Sequence, residues 1–288
     1  SEGSSSGQAK EIRKTFEFAS SFSAYSLEYN INIPADAPEG KCTSEVWAFR
    51  GGNLTLGMVS PSSANWYRQS FLRVRVDDIS LHDIPGTFRV VRSTGPDALL
   101  EGTWDTEKGP VHVRAAMRGG DDKLLVQVSL PPENKADTIR LRLTAYPQGF
   151  SKPRSRAMVT ATRQLEASSS PRLDPAQEKW ALLYDKRMVG DPAFSGPCAF
   201  AYVPEEVQPV QVSLGSYAVS PILQTKPGSR KITVALWDFT PENNLKRLRS
   251  YLREGGEVIA EDLESVASAN WLADGLPEAR IPTSRRKH

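Results

Sequence analysis

The dominant period along this chain is two. Ser26–Ile33, Leu72–Val76, Val111–Ala115 and Ile139–Leu143 each alternate apolar with polar residues. That is the pattern of a strand with one face packed and the other in water. Turn signals separate the runs: Gly51-Gly52, Gly95-Pro96, Gly119-Gly120-Asp121, Pro131-Pro132-Glu133-Asn134 and Lys226-Pro227-Gly228. Glycine supplies positive φ and proline cannot continue a ladder, so both mark strand ends. About fourteen runs satisfy the alternation criterion. Further strands are expected at Trp180–Tyr184, Cys198–Val203, Val210–Leu214 and Lys231–Asp238.

Two stretches depart from this pattern. Residues 151–179 mix Ser, Pro, Arg and Ala with little alternation beyond Met158–Thr162, and most of the segment reads as a long surface connection. Near the C-terminus the period becomes helical. Thr240-Pro241 suits an N-cap followed by a first-turn proline. Leu245, Leu248 and Leu252 then form one apolar stripe, Gly255-Gly256 interrupts it, and Val258, Leu263 and Val266 continue in a second amphipathic stretch. The expected fold is all-β: a large two-sheet antiparallel sandwich, supersandwich-like, with a short C-terminal helical appendage. Residues 1–14 read as a flexible N-terminal segment, 15–239 as the sandwich domain with a long loop near 151–179, and 240–288 as helices and tail.

Composition changes the picture mainly by exclusion. The 288 residues can bury a substantial core. Thirty-six Lys and Arg against 34 Asp and Glu leave a net charge of +2, which gives no reason to expect nucleic acid. No apolar run approaches the length of a membrane helix. The polar, Ser/Gly-rich opening from Ser1 reads as the mature end left after signal-peptide removal or as an expression remnant. A periplasmic or extracellular location is therefore the expectation. Cys42 and Cys198 match no metal spacing and stay open as a disulfide or two buried thiols. Asn53-Leu54-Thr55 is a glycosylation sequon.

Standard catalytic and phosphate-binding motifs are absent, and only His82, His112 and His288 are histidines, so a three-histidine zinc site is not expected. No cofactor and no metal are expected. Asp121 and Asp122 could offer calcium turn carboxylates, but no EF-hand loop exists. The most informative polar pattern is an arginine stripe: Arg73 and Arg75, Arg89, His112 with Arg114, and Arg140 with Arg142 followed by Thr144 and Tyr146. If these strands share a sheet, period-two geometry puts those side chains on one face. Guanidinium groups bind carboxylate and sulfate through bidentate forks, so such a face would suit an acidic polysaccharide or oligosaccharide. The plainer reading is a solvated face whose arginines pair with Asp77, Asp78, Asp83, Asp105 or Glu107. Trp66 and Trp104 have polar flanks and could be sugar platforms, whereas Trp47, Trp180 and Trp237 sit in apolar runs and read as core. His112 or Tyr146 beside arginines that neutralise a uronate carboxylate could support β-elimination.

Trp180–Asp185, Gly196-Pro197-Cys198-Ala199, Leu214–Tyr217, Val234–Phe239 and Leu143–Pro147 together carry a resemblance. The chain resembles a group of uncharacterised exported bacterial proteins that are similar to galactose-mutarotase-like β-supersandwiches. The resemblance covers about half the chain. It implies a large two-sheet sandwich whose concave face handles carbohydrate, and no catalytic residue of that family carries over to a position here. Two functions follow as expectations. One is extracytoplasmic carbohydrate binding or polysaccharide processing. The other is a structural subunit of a cell-surface or multi-protein complex, in which Thr15-Phe16-Glu17-Phe18 adds a strand to a neighbour or to a second copy.

Overall fold

The computed structural model describes residues 10–19, 23–33, 44–53, 66, 71–93, 95–147, 155–187, 196–239 and 244–282. Cys42, the Leu54-Thr55 part of the sequon and the Thr240-Pro241 cap lie outside the described residues, as do residues 1–9.

Among the described residues the strands form three antiparallel sheets. The first joins β1 (Lys10–Ala19), β2 (Ser23–Ile33) and β3 (Ser44–Asn53) in that order. Its first strand begins inside the segment expected to be flexible. Thr15, Phe16, Glu17 and Phe18 pair with Glu28, Leu27, Ser26 and Tyr25 of the same chain, so strand addition to a neighbour would have only the other edge of β1 to use. Leu27 is buried in the main core.

The second sheet has five strands. Its order is β15 (Gln211–Leu214), β16 (Val219–Gln224), β10 (Ile139–Leu143), β4 (Leu72–Val76) and β5 (Ile79–Ser80). Nine strands form the third. From one edge they run β12 (Gln164–Glu166), β11 (Arg156–Val159), β13 (Trp180–Asp185), β14 (Cys198–Tyr202) and β17 (Lys231–Asp238). The sheet continues through β9 (Leu124–Ser129), β8 (Gly109–Arg118), β7 (Asp97–Thr106) and β6 (Gly86–Arg92). The region expected as a long loop therefore supplies two strands. The tetrapeptide Arg156–Val159 is buried on both faces and so shows no alternation to read.

The five-stranded and nine-stranded sheets enclose one core. Leu72, Val74 and Val76 of β4 and Ile139, Leu141 and Leu143 of β10 face Val111, Val113, Val126, Val128, Phe200 and Val234 across it. The opposite face of the nine-stranded sheet is covered in turn by α1 (Leu245–Glu254) and α2 (Gly256–Ser268). Leu248, Tyr251 and Leu252 of α1 and Ile259, Leu263 and Val266 of α2 pack there on Leu182, Ala199, Leu125 and Trp237. Asn244 caps α1, its side chain accepting the Arg247 N–H at 3.1 Å. Between the helices only glycine fits at 255, because a Cβ there would lie 2.3 Å from Cγ of Pro282.

A buried ionic cluster locks α2 to the β8–β9 turn. Arg118 donates to Asp121 at 2.7 and 2.9 Å and to Asp262 at 2.7 and 3.0 Å. Lys123 contacts the same two carboxylates at 2.7 and 3.1 Å. Asp122 accepts from the Trp237 indole at 3.1 Å and the Tyr251 hydroxyl at 2.7 Å. Asp121 and Asp122 are thus buried structural groups bonded to cations and aromatic donors, not carboxylates of an open turn.

Candidate functional site

β4 and β10 lie side by side, and their register sets Arg73 opposite Arg142 and Arg75 opposite Arg140. Both strands alternate strictly. The valines and leucines enter the core, and all four arginines stand exposed on the outer face of the five-stranded sheet. Residues two apart on a strand are about 6.6 Å apart, and directly opposed residues about 5 Å. The four side chains therefore rise from a compact rectangle. With Val74 and Ser80 they line a shallow depression of about 320 Å3. On the far side of β10, Gln224 and Ile222 of β16 stand opposite Arg140 and Arg142.

Like charges placed directly opposite each other on a sheet are unfavourable. Among the described residues no carboxylate lies within ion-pair distance of the four; Arg75 donates to the carbonyl oxygen of Asp78 at 3.2 Å. Asp77 and Asp78, the acidic residues that follow β4, turn to a lysine instead. Asp77 pairs with Lys108 at 2.7 Å and accepts the backbone N–H of Thr138 at 2.9 Å. Burial pushes the Asp77 carboxyl up, but Lys108 and the Thr138 and Asp137 donors outweigh it and bring its pKa to about 2. Asp78 is 3.8 Å from the same lysine. His82 follows β5, and burial together with the charge of Arg73 lowers its pKa to about 4, so it adds no charge near neutral pH. The arrangement is an open cationic surface suited to an anion that brings several acceptor oxygens.

The rest of the arginine stripe is on the other sheet. Arg114 and Arg89 converge on the buried Glu101, at 2.7 and 2.9 Å. Here the plain cross-strand pairing is what the structure contains. His112 shares a hydrogen bond of 3.1 Å with Thr103, and burial and the Arg114 charge lower its pKa. Tyr146 follows β10 in the five-stranded sheet, where its ring meets that of Tyr217 edge-on with centroids 4.8 Å apart. Two different sheets therefore carry His112 and Tyr146, and the elimination constellation is not assembled. The stripe divides because strand parity fixes a face only within one sheet.

Neither proposed tryptophan platform is at the surface. Trp66 is fully buried and its indole N–H donates to the carbonyl of Trp237 at 3.0 Å. Trp104 is buried against Phe88 in a T-shaped contact, with Gly86 and Gly102 leaving room for its ring. Polar neighbours in sequence misled here because a strand end and a bridging residue can both be covered by remote parts of the chain. Trp180 and Trp237 are core residues, as their apolar flanks indicate.

Two groups were given no site role by the sequence reading. Tyr217 lies in the turn between β15 and β16 and is 41% exposed, the one large aromatic surface among the described residues near this sheet. Its signal, a tyrosine after Gly215-Ser216, is a turn signal and says nothing of exposure. Glu206 is buried at the end of the nine-stranded sheet, where its carboxylate accepts from the Thr233 N–H at 2.6 Å and the Thr233 hydroxyl at 3.1 Å. Burial raises its pKa to about 7. Nothing in Pro204-Glu205-Glu206 distinguishes the buried glutamate from its exposed neighbour. Among the described residues no group of three or more His, Cys, Asp or Glu could hold a metal ion.

No family model matches the chain, and no curated protein sequence matches it. Solved structures do resemble it. An α-galactosidase from Lactobacillus brevis aligns with a TM-score of 0.41 and 10% identity over 82% of this chain and 41% of its own. An α-mannosidase from Enterococcus faecalis gives 0.45 and 6% identity over 88% of this chain and 39% of its own. A candidate aldose 1-epimerase from Klebsiella pneumoniae subsp. pneumoniae gives 0.45 and 8% identity over 95% of this chain and 99% of its own. The chain thus spans about two-fifths of the two glycosidases. These likenesses concern fold, and they carry no site residue across to this chain.

Proposed function

We propose that the protein binds acidic glycans outside the cytoplasm, using the outer face of the five-stranded sheet. The observation that supports this reading is the four-arginine rectangle of Arg73, Arg75, Arg140 and Arg142, which no carboxylate among the described residues neutralises. A fold gains nothing from opposing like charges across two strands, so a ligand that brings negative charge is the natural complement. The site is shallow and open, which suits a polymer lying across the sheet better than an enclosed small molecule. Carboxylate or sulfate groups on successive sugars would each engage a pair of guanidinium forks. Gln224 and Ser80 at the flanks would meet hydroxyls. The reading is one of binding: the four guanidinium groups supply charge recognition and hydrogen-bond donors.

Affinity electrophoresis through neutral, uronate-containing and sulfated polysaccharides tests it. Retardation by the anionic gels alone, weakened at high salt, is the expected result. Arg140→Gln/Arg142→Gln should lose that retardation while melting at or above the wild-type temperature, because the substitution relieves repulsion. Retardation equal in neutral gels, or unchanged in the double variant, would refute the proposal.

A further inference from the structure

α1 does not seal the sheet beneath its first turn. A cavity of about 260 Å3 lies there, between the β12–β11–β13 edge of the nine-stranded sheet and the helix. Its floor is apolar: Val159 and the adjacent Leu182 are buried, and Leu245 of α1 closes the top. Its polar groups gather at the rim. Gln164 donates its amide to the Tyr184 hydroxyl at 3.0 Å, and Lys246 and Arg249 come from the helix. The Arg249 Nε is shielded from solvent and has no hydrogen-bond partner among the described residues. The charges open to a ligand are those that Lys246 and the guanidinium of Arg249 bring to the rim. None of the described lining residues is acidic. The carboxylate whose charge reaches Tyr184, Glu166, is already paired with Lys186. The first turn of α1 adds the positive end of the helix dipole.

We propose that this cavity binds a small organic anion with an apolar body, a carboxylate of medium chain length. The carboxylate would take the Arg249 and Lys246 charges and the Tyr184 hydroxyl, and the chain would lie on Val159, Leu182 and Leu245. The site is on the sheet opposite the arginine rectangle and is independent of it.

Isothermal titration calorimetry with octanoate, 1-octanol and octylammonium tests the proposal on the intact chain. Octanoate should saturate one site, and the neutral and cationic analogues should bind at least tenfold more weakly. Arg249→Gln, a partly exposed helix position, should weaken octanoate by about tenfold through loss of one charge-assisted contact. Leu245→Trp, which fills the cavity from its rim, should abolish binding, with circular dichroism confirming that each variant is folded. The proposal is overturned if octanoate does not saturate, if octanol binds as tightly, or if folded Arg249→Gln retains wild-type affinity.

Discussion

Replacing Asp262 by Asn keeps the shape of the side chain and removes one charge from the cluster that joins α2 to the β8–β9 turn. In the native protein one carboxylate oxygen accepts from Arg118 at 3.0 Å and from the Arg280 N–H at 3.1 Å. The other accepts from Arg118 at 2.7 Å and faces Lys123 at 3.1 Å. Arg118, Lys123 and Asp262 are each at most 2% exposed, so water cannot take over the lost contacts. Breaking a buried ion pair from one side costs roughly 3–5 kcal/mol. The lower end applies here, about 3 kcal/mol, because Asp121 still binds both cations. A chain of 288 residues unfolds with an entropy near 0.6 kcal/mol/K, so the melting temperature should fall by about 5 °C. Burial pushes the Asp262 carboxyl up, but the Lys123 charge and the Arg118 guanidinium outweigh it and hold it below its ordinary value of 3.8. The stabilisation is therefore complete above that ordinary value and disappears as pH falls through the lower folded one. Thermal denaturation followed by circular dichroism, at neutral pH and at pH 2, measures both effects. Hydrogen exchange should rise first in α2 and residues 276–282. A variant melting within about 1 °C of wild type would refute this reasoning, as would a double-mutant cycle with Lys123→Met that shows no coupling.

Glu206 gives a pH dependence of opposite sign. Its folded pKa, raised by burial to about 7 from 4.5, means that the native state holds the proton more tightly. Its contribution is present in full below about 4.5 and is lost as pH rises through 7. Chemical denaturation across pH 5 to 8 should show the loss, on the order of 3 kcal/mol, and Glu206→Gln should flatten it. Gly255→Ala would force a Cβ into Pro282 and should cost roughly 1–3 kcal/mol, read as a lowered urea midpoint. The arginine double variant should separate glycan binding from stability, and Arg249→Gln should affect octanoate binding alone.

How much was legible in the sequence depended on which sheet a strand joined. Leu-Arg-Val-Arg-Val and Ile-Arg-Leu-Arg-Leu announced themselves because the five-stranded sheet is wet on one side, so its polar positions must alternate. Trp180–Asp185 and Cys198–Tyr202 were readable as strands only by their apolar runs, because helices cover their second face. Arg156–Val159 was missed for the same reason, being short and covered on both sides. The charges in Gly120-Asp121-Asp122-Lys123 looked like an exposed turn, since the partners that bury them, Asp262 and Tyr251, lie more than a hundred residues away.

The sequence by itself determined the strand-rich architecture, the C-terminal helical cover and the presentation of Arg73, Arg75, Arg140 and Arg142 on polar strand faces, because these follow from local periodicity. Tertiary structure alone decided which arginines meet. Parity says that a side chain points away from the core but not which sheet the strand enters, and that choice rests on long-range pairing. β10 chose β4 as its neighbour and left four guanidinium groups together without a carboxylate among the described residues. β8 chose β7, and there Glu101 neutralised Arg114 and Arg89.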